Sequence, residues 1–336
     1  MGITIRDVAQ AAGVSTATVS RALRGLPNVD EQTRLRVQRI AGDLDYVISP
    51  SASRLASGRT GSVAVITPYI ARWFFSTVIS GIESVLQSAG MDLLLMSVSN
   101  PDAQLRQPPA PRLRRRVDGV LVIAVPPSEP ELREVIDLGM PTSLIGVSLE
   151  GVPSVTIDDV LAARIATQHL VDLGHRRIGI IGGSATNSPS TADQDRQRGF
   201  REVMSEAGLE VDPHLESTGH FTVAGGEQAM TSLLTQRNRP TAVFAMSDEM
   251  AFGAMRSLRS HGLVAGADLS LIGVDGHDMS ELLDLTTVAQ PVVELGRMAA
   301  ETLLEQITAG TVAAAVPSCQ LPTRLFVRGS TAAATG

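Results

Sequence analysis

Two groups of side chains in this chain are typed and spaced for recognition. The first is Thr16, Ala17 and Arg21, on one side of a short helical pattern that begins after Ser15. An arginine fork reads a guanine edge through two hydrogen bonds, while threonine or alanine suits a thymine methyl or a close approach. Ser15, Thr18, Ser20, Asn28 and Thr33 can hydrogen-bond phosphates, which fixes register rather than sequence. Thr4, a potential cap of the first helix, is counted with them. The second group is aromatic. Tyr69, Trp73, Phe74 and Phe75 follow an apolar strand pattern and gather much of a scarce aromatic supply, including the single Trp. Rings at a strand exit can stack on the face of a sugar, and Phe75 is assigned to core packing.

The parts for bond making are missing. One cysteine, Cys319, and six scattered histidines build neither a disulfide framework nor a zinc-ligand spacing. A lone thiol fits a reducing cytoplasm. There is no nucleophile elbow and no positioned acid–base pair, so neither an enzyme nor a cofactor or metal is expected. His175 is read as structural. Gly182-Gly183 and Gly273–Gly276 are too sparse to cradle a phosphate.

Three short helices must position the first group. Thr4 and Asp7 have capping-box spacing, and Ile5, Val8, Ala9 and Ala12 fall on one face. Gly13 breaks that helix, and Val14 can plug the gap beyond it. A second helix runs from the cap Ser15 to Leu23 with Val19 and Ala22 inward, and a third from about Asp30 to Leu44 over Val37, Ile40 and Leu44. Helix, glycine turn and helix within this length is the helix-turn-helix, whose second helix fits the major groove. Residues 48–61 are small, polar and Gly-punctuated, and Ser51–Ala56 is too short for a stable helix alone.

From residue 62 onward apolar runs alternate with amphipathic helices, the signature of α/β folding with doubly wound parallel sheets. Strands are expected at Val63–Thr67, Leu93–Val98, Gly119–Ala124, Ser143–Ile145, Ile178–Ile181, Ala242–Ala245 and Leu271–Val274. The expected organisation is a headpiece over 1–47, a hinge over 48–61 and a core over 62–330. Within the core, one lobe takes about 62–157 and 290–318, and the other about 158–289 and 319–330. Residues 331–336 are expected to be a disordered tail.

Charge follows the same division. Residues 1–60 hold eight Arg against five acids, a balance of +3, which leaves −10 for the rest of a chain whose total is −7. A basic module on an acidic body fits a nucleic-acid partner. No segment approaches the ~18 consecutive apolar residues of a membrane span, and the Met-Gly start is read neither as a secretory signal nor as an acylation site.

The stretch Thr4-Ile-Arg-Asp-Val-Ala-Gln-Ala-Ala-Gly-Val-Ser-Thr-Ala-Thr-Val-Ser-Arg-Ala-Leu23 resembles the opening of the lactose/galactose-repressor (LacI/GalR) family of bacterial regulators. The likeness continues through Arg116-Val-Asp-Gly119, Gly174-His-Arg-Arg-Ile178, Ser247-Asp-Glu-Met-Ala251, Gly273-Val-Asp275, Leu285-Thr-Thr-Val288 and Arg328-Gly-Ser330. The resemblance implies a helix-turn-helix headpiece, a hinge helix and a two-lobed core similar to periplasmic sugar-binding proteins. It further implies a homodimer on a palindromic operator, with Leu55 wedging into the minor groove and Ala52 and Ser53 beside it. Arg196, Asp248 and Asp275 match ligand positions, and a carboxylate that accepts two hydroxyl hydrogen bonds meets the usual demand of a sugar. Three departures leave the ligand open: Ser247 replaces a frequent asparagine, Gly276 a second acid, and Gly146 a polar group. Ile48 also stands where the family has proline.

The expectation is therefore a cytoplasmic repressor of sugar-utilisation genes, released from DNA by a small sugar. The alternative within regulators is a corepressor-dependent protein that senses a nucleobase or nucleoside. A solute-binding transport protein would share the core but lack the helix-turn-helix, and is disfavoured.

Overall fold

The computed structural model of the chain describes residues 3–23, 25–46, 59–98, 109–183, 191–310 and 318–334. Its contacts divide into two units, Met1–Gly61 and Ser62–Gly336. Among the described residues, no helix is long and apolar enough to cross a membrane.

The first unit holds α1 (Ile5–Ala12), α2 (Thr16–Leu23) and α3 (Glu31–Asp43). Each start has a chemical cause. Thr4 N–H and Oγ1 both donate to Asp7 Oδ2, at 2.7 and 2.8 Å. Thr18 N–H donates to Ser15 Oγ at 3.1 Å, and Thr33 N–H to Asp30 Oδ1 at 2.9 Å. Gly13 closes α1 in the left-handed region at φ 65°, which a glycine adopts without a Cβ penalty. Val8, Val19, Ala22 and Val37 are fully buried at the junction, joined by Ala9, Ala12 and Ala41. Ile40 and Leu44 are only half-buried against this core. Burying one such valine contributes about 1.5–3 kcal/mol, so a core this small depends on its caps as well.

The second unit has two six-stranded sheets, β2-β1-β3-β4-β5-β11 and β7-β6-β8-β9-β10-β12. The first comprises β1 (Ser62–Thr67), β2 (Asp92–Ser97), β3 (Gly119–Ile123), β4 (Thr142–Ile145), β5 (Ser154–Ile157) and β11 (Cys319–Leu321). The second comprises β6 (Ile178–Gly182), β7 (Glu216–Thr218), β8 (Ala242–Ala245), β9 (Ser270–Asp275), β10 (Thr286–Ala289) and β12 (Arg324–Phe326). All neighbours are parallel except β10 and β12. Central strands such as β3 are buried along their whole length, as expected when helices cover both faces.

Helices α4 (Trp73–Ser88), α5 (Pro109–Leu113), α6 (Pro130–Ile136) and α12 (Val292–Ala309) complete the first lobe. The second has α7 (Asp159–Asp172), α8 (Thr191–Glu206), α9 (Val223–Leu234), α10 (Asp248–Ser260) and α11 (Met279–Leu282). A Cβ on Gly81 of α4 would overlap Val293 O, and one on Gly296 of α12 would overlap Val78 O, so this helix pair touches backbone to backbone. The chain crosses between lobes after β5, after β10 and between β11 and β12.

Three expectations need correction. Residues 319–321 pair with β5 in the first sheet, so the third crossing falls at Pro322-Thr323 rather than before Cys319. Residues 331–334 are not a free tail. The Ala334 N–H donates to Leu173 O at 2.8 Å, Ser270 Oγ donates to Ala332 O at 3.1 Å, and Ser330 is buried between β9 and β10. Beyond the anticipated strands stand β5, β7, β10, β11 and β12.

Candidate nucleic-acid interface and ligand cavity

Helix α2 sorts its residues by burial. Val19 and Ala22 turn into the core, which leaves Thr16, Ala17 and Arg21 exposed on the opposite side. Ser15 is exposed and Thr18 and Ser20 are half-exposed, with Ser15 Oγ and Thr18 Oγ1 2.9 Å apart. Asn28 is exposed and left-handed at φ 68°, a conformation asparagine tolerates, and Thr33 is half-buried in the first turn of α3. Thr4 is committed to Asp7, whose carboxyl these bonds hold below its ordinary range. The unobstructed face of α2 thus offers one fork of donors and two small side chains. Ala52, Ser53 and Leu55 lie outside the described residues.

In the second unit, a cavity of about 290 Å³ opens between the lobes where the strands end. Loops at the carboxyl ends of parallel strands are where such sheets hold ligands. β1 runs out into Pro68 and Tyr69, β3 into Ala124, β4 into Gly146, β6 into Gly183, β8 into Met246 and Ser247, and β9 ends on Asp275. All but Met246 line the cavity.

One wall is aromatic. Tyr69 packs edge-on against Phe75 at 5.5 Å, Phe75 against Phe74 at 5.2 Å, and the Arg72 guanidinium lies 3.6 Å above the Tyr69 ring. Phe75, expected in the core, both packs on it and lines the cavity. Phe221 faces this wall from the other lobe.

The polar side centres on Arg196, which is 5% exposed. Its Nε donates to Asp159 Oδ1 at 2.8 Å, its Nη1 donates to Met246 O, and Nη1 stands 3.5 Å from Asp275 Oδ1. Burial alone would favour loss of its charge, but Asp159 and Asp275 outweigh burial and hold the proton more tightly than usual. Asp275 accepts from Gln290 Nε2 at 2.7 Å. Burial pushes its carboxyl up to about 7, against the pull of Arg196 and with a further push from Asp248. Its φ of 134° is positive, in the backbone region that favours glycine.

Trp73 and Asp248 stand apart from the cavity lining. Asp248 is fully buried, and both its oxygens are taken: Thr287 Oγ1 donates at 2.7 Å, and His277 N–H and Ser280 Oγ each donate at 2.8 Å. It anchors the loop after β9. Trp73 instead joins the lobes. Its ring stacks on His277 at 4.6 Å and 26°, and its Nε1 donates to Asp278 at 3.3 Å. Gly146 (φ 72°) and Ser247, the cap of α10, also line the cavity.

Asp159, Gln290, Glu249, Arg72 and Phe221 line the cavity without having been singled out. Two of them left a signal: Glu249 lies within the Ser247–Ala251 stretch, and Asp159 follows Asp158 directly at a strand-to-helix junction. The cavity therefore pairs an aromatic wall with a cluster of carboxylates around one guanidinium, an arrangement for the faces and hydroxyls of a small polar ring. Among the described residues no group of acids, histidines or cysteine could hold a metal ion.

Residues 4–49 match the family described as bacterial regulatory proteins, lacI family, and residues 167–331 match the periplasmic binding protein-like domain. The ribose operon repressor of Haemophilus influenzae is 33% identical over 310 residues, covering 90% of this chain and 92% of its own. The transcriptional repressor CytR of Escherichia coli K12 is 35% identical over 335 residues, covering 98% and 96%. Among solved structures, the lac repressor dimer bound to operator and an anti-inducer matches with a TM-score of 0.87 at 27% identity, over 99% of this chain and all of that one.

Proposed function

Because the chain belongs to the lacI family of bacterial regulatory proteins, and is thus a DNA-binding transcriptional regulator, we propose that it represses sugar-utilisation genes and leaves its operator when a small sugar binds. The observation that carries the sugar reading is the cavity chemistry. An aromatic wall of Tyr69, Phe74 and Phe75 faces Arg196, Asp159 and Asp275 across a volume of about 290 Å³. A sugar ring lays its apolar face on the aromatics and hands its hydroxyls to the carboxylates and the guanidinium. The ribose operon repressor, so named, is a relative over nearly the whole chain.

In this reading Arg21, Thr16 and Ala17 read bases, while Ser15, Thr18, Ser20, Asn28, Thr33 and Thr4 set register on the phosphates. Leu55, with Ala52 and Ser53, wedges the minor groove at the centre of a palindrome. The protein acts in the cytoplasm as a homodimer, a reading supported by its likeness to the operator-bound lac repressor dimer. Effector binding works through the lobes. Three backbone crossings allow them to pivot, and a ligand that touches both lobes biases that pivot. Linkage is reciprocal, so DNA weakens effector binding by the factor with which effector weakens DNA binding.

The test is selection of bound sequences from random duplex DNA, repeated with a panel of sugars and nucleosides. A palindromic site released by a sugar supports the reading. A site that forms only with a nucleoside present would overturn the inducer mechanism, and no enriched site under any condition would overturn the proposal as a whole.

A further inference from the structure

The end of the first sheet opposite the cavity carries a feature that effector sensing does not use. Arg112, Arg114, Arg115 and Arg116 are all exposed. They are held in place rather than trailing: Leu113 and Val117, interleaved with them, are buried in the core of the first lobe. No ion pair to any of the four is found among the described residues, although the rest of the chain beyond residue 60 carries −10 overall. Four exposed guanidinium groups in five residues, with no ion pair among the described residues, make a dense positive patch that attracts a polyanion.

Their position says which polyanion. Asp118 N–H donates to Ser62 O at 2.8 Å, and Val63 is in register with Gly119, so the cluster leads directly into the strand beside β1. Ser62 is where the chain arrives from the DNA-binding unit. Arginine forks match phosphate oxygens, and the exposed members of the cluster include no apolar side chain of the kind that anchors a protein partner. We infer that Arg112, Arg114, Arg115 and Arg116 form a second, sequence-independent DNA contact, to phosphates, on the effector-binding unit. The inference rests on the DNA-binding reading of the headpiece.

The test is fluorescence anisotropy of the full chain on a mixed-sequence duplex of about 40 base pairs, titrated across roughly 50–200 mM salt. Each phosphate contact contributes about 0.9 to the slope of log affinity against log salt. The triple variant R112Q/R114Q/R115Q should bind more weakly than wild type and lose about 2–3 per subunit from that slope, about 5 for a homodimer that seats both copies. Its thermal unfolding should be unchanged, because all three side chains are exposed. Wild-type slope and affinity in the triple variant overturn the inference, as does a variant that binds duplex normally but loses binding to phosphatidylserine vesicles. Failure of wild type itself to bind any duplex would instead sink the DNA-binding reading.

Discussion

The stack of Trp73 on His277 bridges the lobes beside the cavity, and its contribution can be worked out and measured. His277→Ala removes the stacked ring at 4.6 Å and keeps the backbone N–H that Asp248 accepts. Aromatic pairs of this kind contribute about 0.5–1.5 kcal/mol beyond their burial. If the effector binds the form in which the lobes meet, that loss lowers the population of the binding-competent form, and the effector Kd rises about 2- to 13-fold. The protein supplies its own reporter, since Trp73 is its single tryptophan. In His277→Ala its emission should shift to the red as the indole gains water. The Kd, by calorimetry with whichever compound the panel identifies, should rise within the stated range. His277→Phe restores a stacking partner and should restore both. An alanine variant with wild-type emission and wild-type Kd would refute the argument and leave Trp73 a bystander.

Other expectations follow from the same geometry. Asp275 accepts hydroxyls best when ionised, and burial raises its carboxyl to about 7. Effector affinity should therefore climb about tenfold between roughly pH 6 and pH 8 and be flat in Asp275→Asn, as read by calorimetry at each pH. For stability the sign is opposite. The folded chain holds this proton more tightly than the unfolded chain, where the ordinary value is 3.8, so the group's contribution is greatest at low pH and falls away as pH rises from there to about 7. Urea unfolding midpoints of wild type and Asp275→Asn should converge at the acid end. Gly253→Ala places a Cβ into Val223 O where α9 and α10 touch; it should cost about 1–3 kcal/mol and lower Tm by several degrees in a thermal melt. Asp30→Ala removes the acceptor that starts α3; it should destabilise the headpiece by about 1 kcal/mol, visible as earlier loss of helical circular dichroism.

The α/β architecture was legible because its central strands are unbroken apolar runs, as in Val63–Ile66 and Gly119–Ile123, buried on both faces. The short edge strands β7 and β11 lack that pattern, unlike the edge strand β2. Glu216–Thr218 and Cys319–Leu321 are three residues long, interrupted by polar side chains, and defined only by the neighbour they pair with. Thr286–Ala289 is polar by composition and yet buried, because Thr286 and Thr287 find hydrogen-bond partners in Ser330, Arg328 and Asp248 from distant parts of the chain. The same reason limits the site. Arg196 and Asp275 could be picked out singly, but their partners Asp159 and Gln290 come from two different crossings and meet them only in three dimensions. Asp248, typed and spaced like a ligand group, is spent on Thr287, His277 and Ser280, which no local pattern reveals.

The segment from Cys319 to Ala334 has a consequence for how the protein is made. It supplies β11 to one sheet and β12 to the other, and then threads Ser330 and Ala332 under β9 and ties Ala334 to Leu173. Neither lobe has its full complement of strands until a ribosome has released these residues. The three-helix unit, by contrast, draws all of its core from residues 5–46 and is complete early in synthesis. A nascent or truncated chain that stops before residue 319 can thus present a finished headpiece on an unfinished sensor. Such a chain carries the DNA-reading unit without a completed effector site.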